Sequence, residues 1–167
     1  MADKKKQSAV QRLFGVGPYG SALSVGLLFV AVLLARETPG GWMPISQMTK
    51  TVALNVGVVG AFLLVWWSVK TLKPKERGQR LCNEGPFRYV RHPLYASFLS
   101  WFDFGFAIYL GHWAFVAWAL SLHPLWHWLI RKEEREMELQ FGKAWRDYAS
   151  QTGRFLPRLI SSSGTDK

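Results

Sequence analysis

Charged residues cluster along the 167-residue chain and leave long uncharged intervals between the clusters. No charged residue lies from Leu13 to Ala35, and none from Val52 to Val69. A third interval, Leu94 to Ile130, is broken only by Asp103 and three histidines, His112, His123 and His127. A hydrocarbon core of about 30 Å takes roughly 20 helical residues, so the first two intervals predict one span each and the third predicts two. Gly111-His112 lies near the middle of the third, where a tight turn leaves spans at about 94–110 and 112–130. The expected fold class is all-α: an integral membrane helical bundle with spans at about 13–35, 52–70, 94–110 and 112–130. The first interval is read as an uncleaved anchor, because its apolar part exceeds the usual 7–15 residues of a signal peptide and no small-x-small cleavage site clearly follows.

Beyond Ile130 the pattern turns amphipathic, and a cytoplasmic helix is expected over about 131–150. At about 100° per residue, Met137, Phe141, Trp145 and Tyr148 share one stripe, and Glu134 falls on it with Glu133 and Glu138 at its flanks. A carboxylate on a face meant for burial needs a partner. Pairing of Glu134 with Arg131 or extension to water is the alternative to a buried partner. The helix is expected to stop near Gly153, and "GRFLPRL" then carries apolar residues back toward the membrane. Residues 1–12 and 161–167 read as polar tails around a single membrane domain, 13–160.

The net charge of +10 accompanies 49% hydrophobic residues, and its placement sets the topology. Lys4, Lys5, Lys6 and Arg12 precede the first span, and Lys70, Lys73, Lys75, Arg77, Arg80, Arg88 and Arg91 separate the second from the third. Arg131, Lys132 and Arg135 follow the fourth, whereas the loop after the first span holds only Arg36 and Lys50. The positive-inside rule then makes both termini and the 70–93 connection cytoplasmic. These cations flank spans instead of lining a separate folded unit, so no nucleic acid partner is expected. The expected location is a bacterial inner membrane, with membrane lipid as partner. Cys82, the sole cysteine, excludes an internal disulfide.

Of the polar groups within the spans, His112, His123 and His127 are expected to be hydrogen-bonded interfacial or core residues. His123 and His127 have helical spacing for a metal, but Pro124 separates them and no nearby carboxylate completes a ligand set, so no metal is expected. Asp103 must face the bundle interior or water, either bonding a neighbouring helix or lining a cavity. No dinucleotide fingerprint, P-loop or nucleophile elbow is present. What remains is a cluster at the cytoplasmic edge. Arg88, Tyr89, Arg91, His92 and Tyr95 precede the third span, and Arg131, Glu133 and Glu134 follow the fourth. If those spans form a hairpin, the two groups meet, and guanidinium, carboxylate and aromatic faces together suit a zwitterionic ligand with a ring and a positive centre. S-adenosylmethionine is one such ligand.

The paired stretches "GPFRYVRHPLY" (85–95) and "EEREMELQFGKAWRDYASQTGRFLP" (133–157) resemble the C-terminal half of the isoprenylcysteine carboxyl methyltransferase and phospholipid methyltransferase superfamily. Met137 departs from the leucine usual after the paired glutamates, and "YAS" stands where Tyr-x-Gly is common. The resemblance implies a membrane-embedded enzyme that transfers a methyl group from S-adenosylmethionine to a lipophilic or small-molecule acceptor entering from the bilayer. It nominates Tyr89, His92, Pro93, Leu94, Tyr95, Glu133 and Glu134 for the cofactor, and Glu134, Arg131 and Arg91 for catalysis or substrate orientation. A carboxylate acceptor would need no base, whereas a thiol or amine would need one, with Glu134 or His92 in that role. The rival expectations are an NADPH-dependent membrane reductase of the sterol reductase type and a non-catalytic assembly or regulatory protein.

Overall fold

The computed structural model describes residues 15–73, 76 and 79–158. The expected polar tails, and with them Lys75 and Arg77 of the connecting loop, lie outside the described residues. Every regular element described is helical; pairing of extended backbone is confined, among the described residues, to two isolated bridges, Trp42 with His112 and Val90 with Gly153.

The two uncharged intervals become α1 (Gly17–Glu37), which begins four residues later than expected and ends two later, and α2 (Gln47–Thr71), which exceeds its expected span at both ends. Pro18 in the first turn starts α1, where a missing N–H costs no intrahelical bond. Ser46 caps α2 by accepting from the Thr49 N–H at 3.1 Å. Both helices are long and apolar enough to cross a membrane, and little of either is buried within the protein. Phe29 and Phe62 remain 63% and 66% exposed, which is what a lipid-facing surface requires and a water-facing one avoids.

The third interval forms a rod of three pieces: α3 (Pro93–Ala96), a π-helical segment (Ser97–Phe102) and α4 (Asp103–Leu110). Gly111, at φ 72°, ends the rod in the left-handed conformation, and His112 begins the next helix. That helix, α5 (Trp113–Leu129), absorbs Pro124 in its interior. The His112 ring caps it: Nδ1 accepts from the Ala114 N–H at 3.1 Å, so the proton sits on Nε2, 2.9 Å from the Thr38 carbonyl oxygen.

Small residues bring α2 and the rod into backbone contact. A Cβ on Gly57 would stand 2.7 Å from the Trp101 carbonyl oxygen, and one on Gly105 would stand 2.6 Å from that of Ala53. On the other side α5 packs on both α4 and α1. Its indoles bond to α1 through one serine: Trp118 donates to the Ser24 carbonyl at 2.9 Å, and Trp126 donates to the Ser24 hydroxyl at 3.1 Å. The core between these helices includes Leu99, Ala107, Ala119, Leu122 and Ile130. Asp103 is buried at the first position of α4.

The chain alternates direction through this bundle. At one end the Met43 N–H bonds the Gly111 carbonyl at 2.8 Å, joining the loop after α1 to the turn before α5. At the other end the start of α1, the start of α3 and the residues just after α5 come together around Glu133.

After α5 the structure departs from the single helix expected over 131–150. Gly142, at φ 54° and ψ −122°, divides it into α6 (Arg131–Phe141) and α7 (Lys143–Gln151). No side chain with a Cβ adopts that backbone readily, so the apolar stripe bends at the glycine. Trp145 is buried beyond the break, and Met137 and Phe141 are only partly covered before it.

Candidate active site

The stretch Gly85–His92 is a 3-10 turn followed by extended backbone, and it is fastened to the C-terminal segment strand-fashion. The Arg91 N–H donates to the Gly153 carbonyl at 2.8 Å and the His92 N–H to that of Arg154 at 3.1 Å. Tyr148 of α7 reinforces the join, its partly buried hydroxyl donating to the Phe87 carbonyl at 2.6 Å. Burial pushes the Tyr148 pKa up, so the hydroxyl stays a donor at any physiological pH. The two motif stretches therefore form one folded unit at the end of the bundle.

Glu134 is the electrostatic centre of that unit. Its Oε1 accepts from Arg91 Nε at 3.0 Å and lies 2.9 Å from Arg91 Nη2. Its Oε2 accepts from Arg154 Nη2 at 2.7 Å and from Arg154 Nε at 3.0 Å. Arg91 also reaches the carbonyls of Ala149, at 2.9 Å, and Thr152, so it ties α7 to the motif as well as holding the carboxylate. The buried partner that Glu134 requires is thus a pair of guanidiniums; Arg131, the alternative, takes no part. Burial by itself would raise the Glu134 pKa, but His92 and Arg154 beside it and the Arg91 charge outweigh burial and bring it down from 4.5 to about 2.

Glu133 faces a different set of groups. Its Oε1 accepts from the Val16 N–H at 2.6 Å and from the Tyr95 hydroxyl at 3.0 Å, and its Oε2 lies 3.9 Å from His92 Nδ1. Among the described residues no arginine pairs with it, and its side chain keeps 21% exposure against 12% for Glu134. The His92 ring bridges the two carboxylates: its Nε2 stands 3.5 Å from Glu134 Oε1, within reach of the charge but not aligned as a hydrogen bond. That nitrogen is buried and has no hydrogen-bond partner among the described residues.

Aromatic faces continue the wall. The His92 ring stacks on Tyr95 with centroids 5.8 Å apart, and Tyr95 lies 4.8 Å from the Trp126 ring. Phe155, nearly fully buried, touches His92, His123 and His127, so the returning C-terminal segment closes the side nearest α5.

Of the residues nominated from the sequence, the structure brings Arg91, His92, Tyr95, Glu133 and Glu134 together. Pro93 is buried directly below them, starting α3, and the Leu94 carbonyl accepts from Ser97. Two do not join the cluster. Arg131 is exposed at the first turn of α6 and stays outside the cluster. Tyr89 is 53% exposed and its ring rests near Trp67 of α2, on the outer side of the turn.

Sequence reasoning missed Arg154 and the Gly15–Val16 turn. The signal for Arg154 was its position: a cation between Gly153 and Phe155, in a segment read as returning apolar residues to the membrane, must find a counter-charge. No sequence signal marks Val16, which acts through its backbone. A groove on the outer face of α2, lined by Phe62, Trp66 and Lys70, has no part in this cluster.

The bundle thus combines two outward-facing apolar helices long enough to cross a membrane with an acid–base–aromatic cluster at one end. The chain matches the family model for phospholipid methyltransferase over residues 51–144, more than half its length, and belongs to that family of methyltransferases. No curated relative and no solved structure matches it. The matched stretch runs from α2 to the start of α7, so α1 and the Gly153–Pro157 segment, which supply Val16 and Arg154 to the cluster, lie outside it.

Proposed function

We propose that the protein is a membrane-embedded S-adenosylmethionine-dependent methyltransferase whose cofactor site is the cluster around His92 and Glu133. In this reading α1, α2, the α3–α4 rod and α5 are four spans, both termini are cytoplasmic, and α6 and α7 lie on the cytoplasmic face. The basic residues at that end support the topology, and Lys70 Nζ, 4.5 Å above the Trp66 ring, suits an interfacial position. The whole of 13–160 then acts as one membrane domain.

The observation that carries the proposal is the buried His92 Nε2 without a hydrogen-bond partner among the described residues, on a ring whose Nδ1 lies 3.9 Å from Glu133, a carboxylate that none of their arginines neutralises. A buried polar atom left unpaired costs about 1–3 kcal/mol and is found where a ligand or water completes the site. The donor set fits the cofactor: Glu133 for the ammonium of its amino-acid end, and the His92, Tyr95 and Trp126 faces for its ring or sulfonium charge. When bound, S-adenosylmethionine supplies an electrophilic methyl carbon.

The chain contributes orientation, water exclusion and proton handling. Glu134 is a poor general base, since His92, Arg154 and Arg91 together hold it ionised down to about pH 2 and the two guanidiniums fill its lone pairs. It acts instead by fixing Arg91 and Arg154, and through them the C-terminal segment that covers the site. His92, which also borders Glu133, is the remaining group able to take a proton from a thiol or amine acceptor, whereas a carboxylate acceptor needs none. Phe155 and Trp126 exclude water from the same space, which favours methyl transfer to the bound acceptor over hydrolysis. The acceptor in this reading is lipophilic or small and enters from the bilayer.

Equilibrium binding of S-adenosylmethionine and NADPH to protein in lipid nanodiscs tests the reading. The wild type is expected to bind S-adenosylmethionine, and His92→Ala to bind it at least about tenfold more weakly. Absence of binding to the wild type, or binding of NADPH alone, would overturn the proposal.

A further inference from the structure

The stretch Gly15–Gly20, "GVGPYG", opens α1 and lies outside the family match, yet it makes the closest contact to Glu133. Gly15 has φ 53°, a conformation that residues with a Cβ rarely adopt. A Cβ there would also collide with the Glu133 carboxylate and stand 3.3 Å from the Tyr95 hydroxyl. Gly20, one turn into the helix, leaves room for the Trp126 indole, whose face a Cβ would strike. These glycines let the start of α1 dock on the aromatic wall of the site with its backbone against the carboxylate.

The two oxygens of Glu133 are consequently unequal. Oε1 already accepts from the Val16 N–H and the Tyr95 hydroxyl, which fills the acceptor directions of one carboxylate oxygen. Oε2 is turned toward the His92 ring. We infer that Val16 and Gly15 are positioning residues. The Val16 N–H, brought within reach because Gly15 has no side chain, fixes Glu133 through Oε1 and presents Oε2 to the ammonium group of an amino-acid-bearing ligand. This role rests on the cofactor reading above and assigns to α1, beyond the matched stretch, a part in ligand recognition.

Two variants separate this role from general damage. Val16→Pro removes the donor at a residue whose φ of −83° is close to that of proline. Gly15→Ala places a methyl group against the carboxylate. Gly26→Ala, where a Cβ meets nothing within 4 Å, is the control in the same helix. Binding to each protein in nanodiscs is measured for S-adenosylhomocysteine, which carries the ammonium, and for methylthioadenosine, which lacks the amino-acid end.

Val16→Pro and Gly15→Ala are expected to weaken S-adenosylhomocysteine about tenfold or more, while methylthioadenosine and the control stay at wild-type affinity. Wild-type affinity of both variants for S-adenosylhomocysteine would overturn the positioning role and leave the cofactor reading standing. Equal weakening of the two ligands would overturn it as well, since the damage would then not be at the ammonium. Failure of the wild type to bind either ligand removes the cofactor reading and this role together.

Discussion

Glu133 and Glu134 are adjacent on α6, and the two sides of the cluster they serve are built on opposite electrostatic terms. On the Glu134 side every carboxylate oxygen meets a guanidinium, the side chains of Arg91 and Glu134 are nearly buried, and Arg91 extends to backbone carbonyls of the C-terminal segment while Arg154 extends to that of His127 in α5. On the Glu133 side the donors among the described residues are one backbone N–H and one phenol, both neutral, and His92 Nδ1 stands 3.9 Å away, with none of the described arginines paired to the charge. A step of about 100° around one helix separates a carboxylate spent on folding from one available for binding. The difference teaches that a paired-glutamate motif need not hold two equivalent groups: the partners, not the residue type, assign the work.

The largest expected effect of breaking this contrast is on the Glu134 side. Glu134→Ala leaves two partly buried guanidiniums without a counter-ion and should lower stability by about 3 kcal/mol or more, read from denaturant unfolding in detergent near neutral pH. An unchanged midpoint would mean that the clamp contributes nothing. Acid tests the same side without a mutation. The folded-state Glu134 pKa is depressed from 4.5 to about 2, so its stabilisation is fully present above about pH 4.5 and is lost as pH falls toward 2. That shift corresponds to about 3 kcal/mol, and Glu134→Gln should flatten the stability profile in this window.

Smaller effects sharpen the comparison. Tyr148→Phe removes the bond to the Phe87 carbonyl and should cost about 1 kcal/mol of stability, measured by the same unfolding experiment. Glu133→Gln keeps an oxygen to accept from Val16 and Tyr95, so it should change stability by less than about 1 kcal/mol. Arg131→Ala, at an exposed position with no role in the cluster, should shift the unfolding midpoint by no more than about 0.5 kcal/mol and leave S-adenosylmethionine affinity unaltered.

Much of the helical layout was legible in the charge pattern. Uncharged runs located α1 and α2, and Gly111-His112 located the turn before α5, because apolar length and turn chemistry are properties of local sequence. The π-helical segment and the break at Gly142 were not legible. The π-helical segment, which packs against α2, carries no glycine or proline to mark it, and Gly142 is indistinguishable by spacing from a glycine tolerated inside a continuous helix. The stripe correctly turned Glu134 inward, but its partners sit 43 and 20 residues away, and only the folded chain selects Arg91 and Arg154 over Arg131. Tyr89 misled because an aromatic beside a motif reads alike whether it faces the site or, as here, Trp67.

The most direct test of the division between the two glutamates is the equilibrium affinity of Glu133→Gln protein for S-adenosylmethionine in lipid nanodiscs, with its unfolding midpoint measured on the same sample. The expected result is affinity at least about tenfold below wild type at a nearly wild-type midpoint. Wild-type affinity in that variant would contradict the assignment of Glu133 as the ligand-binding carboxylate.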